Sequence, residues 1–235
     1  MGLFDRFRAP EGCWPWPNID SPVVRLEAEK AAVHEAGHAV VGRYFGLEVT
    51  RLSIRRSADN LGQVTTALTH PRLRAKMMGL SRKIAGKNNP ASPNRGPEIG
   101  LRPRGHFVHE ASLHADLHFM LAGAAAENIQ YGPFTSWEGN GWEPDLNTFF
   151  LLVSAYYGNL DGFISDSSFT SIRDRYWNSC QEILCKPEIR VWHEAVAKAA
   201  VRSKHGVLSG CVIDLLRPRR PLPPNRPTSP LRSVA

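Results

Sequence analysis

The chain has 235 residues, 42% of them hydrophobic and 22% charged, with a formal net charge of +7; this suits one globular core and excludes a fibrous or wholly disordered polymer. No apolar run approaches the roughly 18 residues that a membrane-spanning helix needs. Met1-Gly2-Leu3-Phe4-Asp5-Arg6 lacks both the apolar stretch of a signal peptide and the serine or threonine of a myristoylation site, so the expected location is cytoplasmic.

Cys13, Cys180, Cys185 and Cys211 have no C-x-x-C spacing, which argues against a zinc ribbon or a disulfide framework and predicts reduced, structural thiols. The charge is unevenly spread. Residues 70–105 carry nine Lys or Arg against Glu98 alone, a net of +8, and residues 217–235 carry five Arg and no acid. The remainder is therefore net −6, a mildly acidic core with two basic appendages. Either appendage is a candidate contact for nucleic acid, an acidic protein or anionic lipid; a solvated, flexible segment is the competing reading.

In chain order, residues 1–20 hold Pro10, Pro15 and Pro17 beside Trp14 and Trp16, a stiff leading segment whose tryptophans are expected to pack on the core. Ser21 and Pro22 read as an N-cap followed by a first-turn proline, and a helix is predicted over 23–45, with Gly46 as its stop. This helix contains His34-Glu35-Ala36-Gly37-His38, an H-E-x-x-H pattern. Imidazoles at i and i+4 share a helix face about 6 Å apart and can close on one tetrahedral ion. Glu35 lies one residue further round, too far to be a third ligand but suited to take a proton from water at the metal. Gly37 costs about 1 kcal/mol against alanine in a helix interior, so a close neighbour is expected there. The competing reading is two surface histidines on an ordinary amphipathic helix.

Residues 48–55 alternate apolar with polar, 57–61 read as a turn and 62–67 as a second strand, giving a small two- or three-stranded sheet after the helix. Over 70–105 the periodicity fades apart from a short helical pattern at 73–84, and a flexible basic insertion is predicted. A helix over 107–131 follows, with Leu113, Leu117, Met120, Leu121, Ala124, Ala125 and Ile129 on its buried stripe. A glycine- and tryptophan-rich loop leads to Asp145, which opens a helix over 146–157, where a carboxylate suits the dipole as a cap. Further helices are predicted over 168–184 and 187–204, then a last apolar turn at 212–216. The Pro/Arg-rich tail, 217–235, has no means of forming a core.

A second histidine-rich stretch, His106, His109, His114 and His118, repeats the i, i+4 spacing at its end without a following glutamate. It reads as a satisfied or solvated helical face rather than a second metal site. His193 is read as structural. A catalytic zinc ordinarily has three protein ligands and one open position, so His34 and His38 require a carboxylate, histidine or cysteine from elsewhere.

These residues resemble the zinc peptidase domain of FtsH-type ATP-dependent membrane proteases. The likeness starts at Ala32-Val33-His34-Glu35-Ala36-Gly37-His38-Ala39-Val40-Val41-Gly42 and continues through the strand pair at 49–54 and 62–65. It returns at Leu121-Ala122-Gly123-Ala124-Ala125-Ala126-Glu127, similar to the family's L-G-G-R-A-A-E, and at Asp145-Leu146, with Tyr157-Gly158 a dozen residues on. Residues 204–216 are similar to the family's closing K-x-x-L-x-G segment.

The resemblance implies a mainly α (α+β) zincin-type peptidase domain over 21–216, with His34, His38 and Asp145 binding Zn2+ and Glu35 polarising the water. Trp142-Glu143-Pro144 departs from the small polar residues and Asn usual before that aspartate, which keeps Glu143 as an alternative ligand. Glu127 is the other alternative, read by preference as a carboxylate supporting a ligand from behind. The 235 residues contain no G-x-x-x-x-G-K-[ST] loop. The expected activity is therefore a zinc metalloendopeptidase that cuts unfolded or flexible protein segments without its own ATPase, with a separate ATPase or adaptor as a candidate partner. The alternative is a catalytically silent interaction module using the basic segments to bind nucleic acid or an acidic protein.

Overall fold

Ser21 takes an extended conformation and Pro22 begins the first helix, α1 (Pro22–Tyr44), which ends before the left-handed Gly46 at φ 83°. In this computed structural model residues 21–55, 62–66, 110–133, 143–157 and 164–218 are described, with backbone alone at 110–112 and 143. Expectations for residues 1–20, the turn at 57–61, the basic stretch 70–105, the tryptophan loop and the tail beyond 218 lie outside the described residues.

Every residue of α1 from 35 to 42 is buried. A helix buried all round is a central element, not an amphipathic surface one. The reason for Gly37 lies on the next described helix, α2 (Glu110–Tyr131). A Cβ at position 37 would stand 2.5 Å from the Ala122 carbonyl oxygen and 2.8 Å from the Ala126 Cβ, so glycine lets the two helices meet backbone to backbone.

After α1 come β1 (Val49–Ser53) and β2 (Gln63–Thr66). The chain continues through α2, α3 (Glu143–Tyr157), α4 (Asp166–Leu184), α5 (Pro187–Arg202), β3 (Val207–Ser209) and α6 (Gly210–Leu215). The strands form one antiparallel sheet in the order β2-β1-β3. The mainly helical α+β class expected from the sequence is the class observed, and the sheet takes the larger of its two expected sizes. Its third strand arrives from residues 207–209, with Leu208 opposite Leu52. Because β1 is paired on both sides, an open edge is available only on an outer strand.

One continuous cluster of buried apolar side chains joins the six described helices with β1 and β3. Trp192 of α5 is its largest member, and its indole nitrogen donates to the Ile213 carbonyl at 2.8 Å, fastening α6. Burying such an aromatic side chain contributes on the order of 2–3 kcal/mol. His193 donates from Nε2 to the Val33 carbonyl at 2.9 Å, a structural link between α5 and the turn of α1 before His34. Among the described residues, no helix is long and apolar enough to cross a membrane.

Candidate metal centre

The side chains of His34 and His38 leave α1 on the same face and converge. Their Nε2 atoms are 2.9 Å apart, and Asp145 Oδ2 lies 3.0 Å from the first and 3.1 Å from the second. The sequence places Asp145 107 residues after His38; the fold closes that gap by packing α3 on α2, from where the Asp145 side chain reaches both imidazoles. The helix begins at Glu143, three residues earlier than expected, with Pro144 as its second residue. Asp145 is therefore not the cap but part of the first turn. Among the described residues, His34, His38 and Asp145 form the one group of three or more His, Cys, Asp or Glu side chains able to hold a metal ion.

The other ring nitrogens show which protons are present. His38 Nδ1 is 2.5 Å from the Phe119 carbonyl, which can only accept, so the hydrogen is on Nδ1. His34 Nδ1 donates to Glu127 Oε1 at 2.6 Å. With both Nδ1 atoms protonated, the neutral rings turn two nitrogen lone pairs toward each other and toward a carboxylate oxygen. Three such atoms about 3 Å apart require a proton or a cation between them. Donors held about 2.0–2.1 Å from a tetrahedral zinc stand about 3.3 Å apart, so an opening of a few tenths of an ångström would accommodate the ion.

The electrostatics agree with the geometry. Burial pulls the His34 imidazole down, but its hydrogen bonds to Asp145 and Glu127, with the charges of Glu35 and Asp145, carry it up to about 10. Burial opposes ionisation of Asp145 too, yet the two imidazoles packed against it hold its carboxyl well below the usual carboxylate range. Three carboxylates, Glu35, Glu127 and Asp145, thus surround two imidazoles. Without a metal, a proton on His34 supplies the positive charge that this arrangement favours.

Glu35 is only 7% exposed. Burial pushes its carboxyl up from the ordinary range, although the two histidines draw it back. The backbone leading into β2 lies against it, since a Cβ at Gly62 would stand 2.6 Å from Glu35 Cγ and Oε1. No protein-family model matches this chain, and no curated protein matches it. The resemblance to FtsH-type peptidases is carried by the residues quoted above.

Of the two alternative ligands, Glu127 is among the described side chains. Glu127 meets the ring nitrogen of His34 that points away from Asp145, where it fixes the tautomer and raises the basicity of the opposite nitrogen. Glu127→Ala is expected to weaken zinc binding about 10–100-fold without abolishing it, as measured by competition with a chromogenic chelator. Glu143 starts α3, and its side chain lies outside the described residues.

His114 and His118 do not repeat the arrangement. His118 is buried, donates from Nδ1 to the His114 carbonyl at 2.6 Å, accepts from Ser179 Oγ at 2.9 Å and stacks on Phe45. His114 meets the Tyr176 hydroxyl. Both are satisfied by hydrogen bonds, one of the two readings that the sequence favoured; His106 and His109 lie outside the described residues. Cys180, Cys185 and Cys211 are free thiols, and burial pushes the Cys180 thiol up, which keeps it inert. Sequence reasoning missed Phe119, Gly62 and Gly123 as parts of the site. The signal available for the last was a glycine amid alanines in a helix interior.

Proposed function

We propose that this chain is a zinc-dependent endopeptidase acting on unfolded or flexible protein segments. The observation that carries the reading is the convergence of His34 Nε2, His38 Nε2 and Asp145 Oδ2 while both Nδ1 atoms are committed elsewhere. The donor set fits a catalytic zinc site: two imidazoles, one carboxylate and a nearby acid that is not a ligand. The resemblance to FtsH-type peptidases supports the same assignment.

A zinc ion held by these three residues would supply Lewis acidity, lowering the pKa of water and polarising a peptide carbonyl. Glu35 accepts the proton of the attacking water on its carboxylate and delivers it to the leaving amine nitrogen. Burial raises its pKa above the ordinary carboxylate range, which favours taking up the water proton before it passes to the amine. Glu127 holds the His34 ring in the tautomer that keeps Nε2 free. Among the described strands β2 pairs with β1 alone, so its outer edge can receive an extended segment by main-chain hydrogen bonds. An edge of this kind selects chain that is already unfolded.

These 235 residues contain no phosphate-binding loop, so cleavage by this polypeptide should need no ATP. The test is digestion of an unfolded protein by the zinc-loaded chain without nucleotide. Cleavage blocked by a chelator and restored by zinc is expected. Zinc binding with no cleavage of any unfolded protein would overturn the peptidase reading and favour the interaction module.

A further inference from the structure

We propose that Gly123 is a positioning residue of the metal centre, the point where the α2 backbone is left bare so that the His34 and His38 rings can converge. This rests on the metal reading of the site. Gly123 lies in the interior of α2 between Ala122 and Ala124, where alanine would be favoured by about 1 kcal/mol. Backbone conformation does not explain the glycine, because the left-handed glycines are Gly46, Gly132 and Gly206. Space does. A Cβ at position 123 would stand 2.5 Å from Nε2 of His34, 2.5 Å from Nε2 of His38 and 2.7 Å from Cδ2 of His34. All three nearest atoms belong to the two candidate ligand rings.

The rings have little freedom to yield. The Phe119 carbonyl holds His38 and the Glu127 carboxylate holds His34, each through Nδ1. Phe119, Gly123 and Glu127 are spaced four apart and so form one stripe of α2. Its outer members tether the rings, and its middle member leaves the space their Nε2 atoms use. A methyl group there would push both nitrogens off the point they share with Asp145 Oδ2. Gly37 provides the contrast, since a Cβ at that position meets the backbone of α2 and would part the helices instead.

The experiment compares wild type, Gly123→Ala and Gly37→Ala. It measures zinc affinity, the visible spectrum with Co2+ as a probe, and the thermal midpoint of each metal-free protein. Gly123→Ala should bind zinc about 100-fold more weakly than wild type, an effect as large as losing a hydrogen-bonded partner of a ligand, and should lose the tetrahedral Co2+ bands. Its metal-free midpoint should fall less than that of Gly37→Ala, because the added methyl meets ring edges and not helix backbone. Wild-type zinc affinity in Gly123→Ala would overturn the proposal. So would a metal-free Gly123→Ala protein that fails to fold or melts as early as Gly37→Ala, because the glycine would then serve helix packing. Absence of zinc binding by wild type would remove the metal reading itself and this proposal with it.

Discussion

Glu35→Gln should bind zinc as wild type does and cleave an unfolded protein about 10²–10⁴-fold more slowly, the usual contribution of a positioned general base. Glutamine has nearly the shape of glutamate, so the packing of Gly62 against the side chain is kept. Glu35 is outside the His34, His38 and Asp145 donor group, so the ligands are untouched. The variant loses only the ability to accept and return a proton. Stability should hold or rise, because burial already disfavours the charged carboxylate and the amide is neutral. Digestion rates, zinc content and thermal midpoints measured on the same preparations check all three expectations. A Gln variant that cuts at the wild-type rate would remove Glu35 from the mechanism.

Asp145→Ala should have the larger effect on the metal. It deletes one of three donors and leaves two imidazoles with no carboxylate between them. Its loss of zinc affinity should therefore exceed the about 10–100-fold expected for Glu127→Ala. Zinc at 100 times its dissociation constant stabilises a native state by about 2.7 kcal/mol, and that increment should vanish at the same zinc concentration. The metal-free variant should be weakened as well, by more than the about 0.3–1 kcal/mol of a first-turn carboxylate, because Asp145 is also the partner of the His34 imidazole. Titration with a competing chelator and melting curves with and without zinc decide the matter. Normal zinc binding in Asp145→Ala, with loss in Glu127→Ala, would transfer the ligand role to Glu127.

The local parts of this site were legible in the sequence because helical geometry is local. Spacing alone predicts that His34 and His38 share a face, and their nitrogens do meet. Proline and glycine punctuation marked α1 closely, and apolar periodicity marked α2 and α5. Asp145 was reached through resemblance, since no periodicity links it to a residue 107 positions away.

What was missed depends on neighbours that are distant in sequence. β3 is three residues long, too short for an alternating pattern to register, and it becomes a strand by pairing with β1. His114 and His118, read from the sequence as a satisfied or solvated face, have the spacing of His34 and His38, and the fold supplies their partners: a backbone carbonyl, a serine and a tyrosine. Gly123 could be flagged as costly in a helix, but only the fold reveals that the space it leaves belongs to two imidazoles.

The most direct test is X-ray absorption at the zinc edge, with metal quantification, on the purified wild-type chain. One zinc per chain is predicted, in a shell of nitrogen and oxygen only at about 2.0–2.1 Å and with scattering from two imidazoles. A chain that takes up no zinc, or one whose zinc has sulfur at about 2.3 Å, would contradict the His34, His38 and Asp145 centre.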